Sequence, residues 1–175
     1  AGGYTYNRMA KDLYCLIRWL RPYNLTLVGY GRGGAVCVRF MSRYKGYCVN
    51  RLGLVSASAP CFTMRKNYPY GMNAETVKDL INLAYYDRPK MVEEYVNMIF
   101  SEDVSDAMHR WMQDVCLTAS GRATIDCAKA LIDEDLRKDL GEIRVPTSIF
   151  HGSLDSICPT DFALVQKESI ANAEL

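Results

Sequence analysis

With 175 residues, 49% of them hydrophobic and 23% charged, the chain is long enough for one domain with a sizeable core and ordinary in composition for a globular protein. No apolar run approaches the roughly 18–20 residues that a bilayer-spanning helix needs, and the polar, aromatic stretch Ala1–Ala10 does not read as a signal peptide. The net charge of +1 is unevenly spread: residues 1–66 carry eleven Lys/Arg against one acid, Asp12, and residues 67–175 carry ten Lys/Arg against nineteen acids. The basic residues are interspersed rather than run together. The asymmetry therefore reads as two oppositely charged parts that face each other, with neither nucleic acid nor membrane as partner.

Along the chain, Met9, Leu13, Leu16 and Leu20 fall at helical spacing and predict an amphipathic helix over Tyr6–Leu20, capped by Thr5 or Asn7 and ended by Arg21-Pro22. Leu25–Val28 is a short apolar run, expected as a buried parallel strand. Gly29–Gly34 is a glycine-rich turn, and Ala35–Tyr44 is helical and closed by Gly46. Leu52–Ser56 is a second strand. After Pro60 the character changes: residues 61–73 form a polar, aromatic loop, followed by helical patterns at about 75–86, 88–100, 104–118 and 121–140. Thr147–Phe150 is a third strand, the chain turns at His151-Gly152, and a last helix is expected from Thr160 to Ala173.

Strands alternating with helices imply an α/β fold with parallel pairing. The expected organisation is a core from residues 1–60 and 141–175, interrupted by a helical insert at 61–140 that covers the C-terminal strand ends as a lid. Three parallel strands leave two open edges, so further strands are expected from outside this stretch, from a second copy or from a partner chain.

The seven cysteines, Cys15, Cys37, Cys48, Cys61, Cys116, Cys127 and Cys158, include no Cys-x-x-Cys pair and are odd in number. They read as reduced, mostly core thiols of a cytoplasmic protein. The histidines and cysteines show no metal-ligand spacing.

The turn after the first strand allows two readings. Gly29, Gly31 and Gly34 satisfy G-x-G-x-x-G, the pyrophosphate-binding fingerprint. That site wants an acid about 20 residues on, and none occurs between Asp12 and Glu75. The second reading is a strand-to-helix elbow, G-x-S-x-G, with Gly29, Gly33 and Gly34 at its small positions and Gly31 where the serine stands.

Leu25–Ala35 (LTLVGYGRGGA), Arg51–Pro60 (RLGLVSASAP), Tyr4–Leu13 (YTYNRMAKDL) and Val145–Asp155 (VPTSIFHGSLD) with Ile157-Cys158-Pro159 together resemble the α/β-hydrolase family, in particular its small esterases and cofactor-free haloperoxidase-like hydrolases. The resemblance implies a partial α/β-hydrolase fold and hydrolysis of small, apolar carboxylic esters by a Ser-His-Asp triad. It implies no metal or organic cofactor. Asp155 matches the triad acid and Gly31 the nucleophile position, which is vacant because glycine has no attacking group. Gly29, Tyr30 and Gly33 complete the elbow, and the Arg32 backbone N–H matches one oxyanion-hole donor. The second donor and the histidine base lie in parts of the family pattern that these 175 residues do not contain. His151 is expected to be structural, and His109 lies in the helical insert. The apolar residues of that insert would line an acyl pocket or form its own core. The implied function is that of a hydrolase domain without its nucleophile and base; the alternatives are a non-catalytic protein that binds an apolar ester, an acid or a partner, and a nucleotide-binding protein.

Overall fold

The computed structural model describes residues 3–175; the first two residues of the N-terminal stretch read above lie outside it. Helix α1 (Tyr6–Leu20) starts where the Thr5 side chain accepts from the Arg8 amide, and ends at Arg21, which adopts a left-handed conformation before Pro22. Strand β1 (Leu25–Tyr30) turns through Gly31 into α2 (Arg32–Arg43), and β2 (Val49–Val55) follows. Four helices come next: α3 (Ala74–Tyr86), α4 (Arg88–Ile99), α5 (Asp106–Leu117) and α6 (Gly121–Asp133). Asn73, Asp87, Ser105 and Ser120 cap them in turn, each accepting a first-turn amide. The chain returns through α7 (Arg137–Leu140), β3 (Thr147–Phe150), α8 (Asp161–Ser169) and β4 (Ala173–Glu174).

The sheet is parallel with order β1-β2-β3-β4, in register Val28↔Gly53, Leu54↔Ile149 and Thr147↔Ala173. All strand C-termini therefore lie along one edge. Leu52, Leu54 and Ile149 are buried in one cluster with Ala10 and Ile17 of α1, Val38 and Phe40 of α2, Leu140 of α7 and Ala163 of α8. Smaller clusters around Val77, Ile81, Ile125 and Phe162, and around Met91, Val92 and Val96, hold the α3–α6 layer together.

Three expectations need correction. The helix expected over 121–140 is two helices: at the break, Leu136 N donates to Pro60 O, and the Asp135 carboxylate is held by Arg137 and the Cys61 thiol. The last helix stops at Ser169 because Ile170 turns extended and buries itself, which lets Ala173 pair with Thr147 as a fourth strand. Finally, the apolar run of β1 is not buried on both faces. Val28 is 62% exposed and Phe150 of β3 is 61% exposed, since the core cluster covers only the alternate positions.

Two basic residues of the first part pair with acids of the later part. Arg39 of α2 pairs with Glu134 at 3.1 Å and Asp139 at 3.5 Å, and Lys45 pairs with Glu142 at 2.8 Å. Among the described residues no helix is long and apolar enough to cross a membrane.

Candidate functional site

The turn between β1 and α2 is fixed from three sides. Gly31 N donates to Val55 O at 2.9 Å, while Gly31 O accepts from Ser58 N at 2.9 Å and Gly34 N at 3.1 Å. Gly31 itself has φ 52° and ψ −122°, a conformation that glycine enters without steric cost. The flanking glycines are needed for close approach. A Cβ on Gly29 would lie 2.6 Å from Gly34 Cα, and one on Gly34 would lie 2.5 Å from the Ala57 Cβ. At Gly31 and Gly33 an added Cβ would meet nothing within 4 Å. Gly29 and Gly34 thus serve backbone packing, while Gly31 presents its open side to a cavity of about 620 Å³ at the strand C-termini.

The loop after β3 forms the opposite wall. Asp155 Oδ1 accepts from Ile157 N at 3.0 Å and Cys158 N at 2.8 Å, which closes the loop on itself. Its Oδ2 is spared by these amides and lies 3.7 Å from His151 Nε2. The same nitrogen sits 2.6 Å from Cys158 O. A carbonyl can only accept, so Nε2 carries the hydrogen and is committed to the loop. With a side chain only 1% exposed and Nδ1 shielded from solvent, His151 shapes the turn. His109 lies apart, its ring tilted against Phe100 at 5.3 Å in the helical layer.

Cys158 is the sulfur nearest this chemistry. Burial pushes its thiol up to about 12, the Asp155 charge adds to the rise, and a hydrogen bond with Ser58 opposes it. It stays protonated at neutral pH and is a poor nucleophile. Tyr30 is raised by partial desolvation and then by Asp155.

Tyr30, Gly31, Arg32, Gly33 and Asp155 all line this one cavity, and Gly29 packs beneath it. Ser56, Ser58, Phe62 and Leu131 also line it and were not singled out from the sequence, and so does Tyr95, one of the insert's apolar residues expected at an acyl pocket. For Ser56 and Ser58 a signal existed, the Ser-Ala-Ser-Ala-Pro run directly after a strand. That Tyr95 reaches the cavity while Tyr85 and Tyr86 do not depends on how α4 crosses the strand ends. A second cavity of about 470 Å³, almost wholly apolar, lies among α3–α6 and shares Arg32, Phe62, Tyr95, Leu131 and Ile157 with the first. Met91 and Met98 line it, whereas Tyr85, Tyr86 and Trp111 point to solvent. Among the described residues no three His, Cys, Asp or Glu side chains cluster as metal ligands.

No protein-family model matches the sequence. The chain is 43% identical over 173 residues to the AB hydrolase superfamily protein YisY of Bacillus subtilis, covering 99% of this chain and 65% of that protein. Among solved structures it superposes on the esterase EaEST from Exiguobacterium antarcticum with a TM-score of 0.95 at 38% identity, covering 99% of this chain and 65% of that one. It superposes on a bromoperoxidase from Bacillus anthracis with a TM-score of 0.91 at 29% identity, covering 98% and 64%. The 175 residues thus span about two thirds of the length of these relatives.

Proposed function

Because this chain belongs to the α/β-hydrolase superfamily, we propose that the cavity at its strand ends is a site for a small, apolar carboxylic ester or acid, held without covalent turnover. Gly31 stands at the nucleophile position, the Arg32 backbone N–H is an oxyanion donor, and Asp155 is the acid of the triad. One observation carries the reading. The open side of Gly31, at the apex of the turn, and Asp155, with one oxygen spared by its own loop, line the same cavity.

In such a site a serine attacks the ester carbonyl, a histidine carries its proton, and the acid orients the histidine. Glycine supplies no attacking oxygen, so no acyl-enzyme forms at residue 31. Cys158 does not substitute, since its thiol is protonated and buried. His151 does not substitute as base: its Nε2–H is held by Cys158 O, its Nδ1 is shielded from solvent, and the residue does not line the cavity. Binding is what these residues retain. The α3–α6 layer acts as the lid over the site, with the apolar cavity taking the acyl part of the ligand. The edge strands β1 and β4 are open to a second copy or a partner chain, and seven free cysteines favour a reducing compartment, the cytoplasm.

The test pairs turnover with binding. Incubated with p-nitrophenyl butyrate, the chain is expected to release nitrophenol at the background rate, while calorimetric titration with methyl octanoate saturates. Release well above background would mean that another nucleophile acts here. A flat titration across short and medium esters and acids would remove the ligand site.

A further inference from the structure

The two cavities meet at Arg32. The larger one has backbone and polar side chains on its floor, among them Gly31, Ser58 and Asp155. The smaller is walled by Val77, Ile81, Val92 and Ile125, and among the described residues Arg32 is the only charged one on its wall. The Arg32 Nη1 atom is shielded from solvent and has no hydrogen-bond partner among the described residues. Asp155, the one acid lining the larger cavity among the described residues, gives Oδ1 to backbone amides and has Oδ2 3.7 Å from His151 Nε2, and it forms no ion pair with Arg32. A buried guanidinium nitrogen without an acceptor is unfavourable, and a ligand anion removes that cost with a charge-assisted hydrogen bond.

We propose that Arg32 is a carboxylate anchor, so that the site selects an aliphatic monocarboxylate over neutral molecules of the same length. The planar guanidinium takes the head group, and the alkyl chain runs into the apolar cavity between α3, α4 and α6. The neutral ester of the same acid offers Arg32 no charge, so the free acid is the preferred occupant. This deepens the reading of the cavity as the ligand site and rests on it.

Calorimetric titration of the whole chain with octanoate, acetate, octanol and octylammonium tests the idea. Octanoate is expected to saturate and to bind at least about tenfold tighter than octanol, as a charged hydrogen-bond partner implies. Acetate, which cannot reach into the apolar cavity, binds more weakly than octanoate, and octylammonium does not compete. Arg32→Met is expected to weaken octanoate by about tenfold or more and to leave octanol within about twofold. The ligand series on the unmutated chain decides the matter even if that variant fails to fold. Equal affinity for octanol and octanoate, or octanoate binding untouched in a folded Arg32→Met, overturns the anchor and leaves the ligand site standing. Acetate binding as tightly as octanoate overturns the placement of the chain. Absence of binding by all four overturns both the anchor and the site.

Discussion

Residue 31 sits where two demands on one position diverge. The turn asks for φ 52°, which glycine adopts freely, and the cavity beside it leaves room for a side chain, since a Cβ there would touch nothing within 4 Å. Gly31→Ser is therefore expected to fold, at a cost of about 1–3 kcal/mol for the left-handed backbone. Gly29→Ala, two residues earlier, meets backbone atoms at 2.6–2.7 Å that cannot swing away. It is expected to cost about 3 kcal/mol or more, as overpacking against fixed atoms does. Urea unfolding of the two variants checks the ranking. A Gly29→Ala chain as stable as Gly31→Ser would show that the elbow is not packed as described.

At the scale of elements, the site depends on α8 holding the segment that follows β2. Gln166 of α8 is fully buried, and its Nε2 donates to Ala57 O at 3.1 Å and Ala59 O at 2.7 Å. The same segment carries Ser58, whose amide donates to Gly31 O. Gln166→Leu would leave Ala59 O without its side-chain donor and Ala57 O with only the Ala59 amide, at an expected cost of about 1–3 kcal/mol. Because that segment also braces the elbow, amide exchange at Ser58 is expected to speed up more than exchange in the α3–α6 layer. Uniform acceleration across the chain would mean that the bond contributes only to global stability.

Across the whole molecule, the basic first part and the acidic later part are joined at Arg39. Its guanidinium bridges Glu134 and Asp139 with side chains only 10–18% exposed, and it also donates to Asp135 O at 3.2 Å. Glu134 in turn accepts from Tyr6 N at 2.8 Å, tying in the start of α1. Arg39→Met strands two largely buried carboxylates and is expected to destabilise by roughly 3–5 kcal/mol. A second change, Glu134→Gln, is expected to recover part of that loss, since the two residues share one network. Chemical denaturation in low and high salt checks this. An effect that vanished at high salt would mark a surface pair of little weight.

Local pattern determined much of this protein by itself. Apolar spacing placed α1, helical patterning placed the helices after Pro60, and the order of strands and helices specified a parallel α/β sheet, because periodicity is a property of neighbouring residues. The glycine spacing, and at Asp155 the family resemblance, pointed to residues that line one cavity. Only the tertiary structure decided the rest. The two-residue strand β4 exists because Ile170 finds a buried place and frees Ala173 to pair with Thr147. The break before α7 exists because Leu136 N meets Pro60 O, 76 residues away in sequence. That Arg32 lies between a polar and an apolar cavity, with Nη1 shielded and unpartnered, follows from how α4 and α6 cross the strand ends. Contacts between segments so distant in sequence leave no periodic trace in either one.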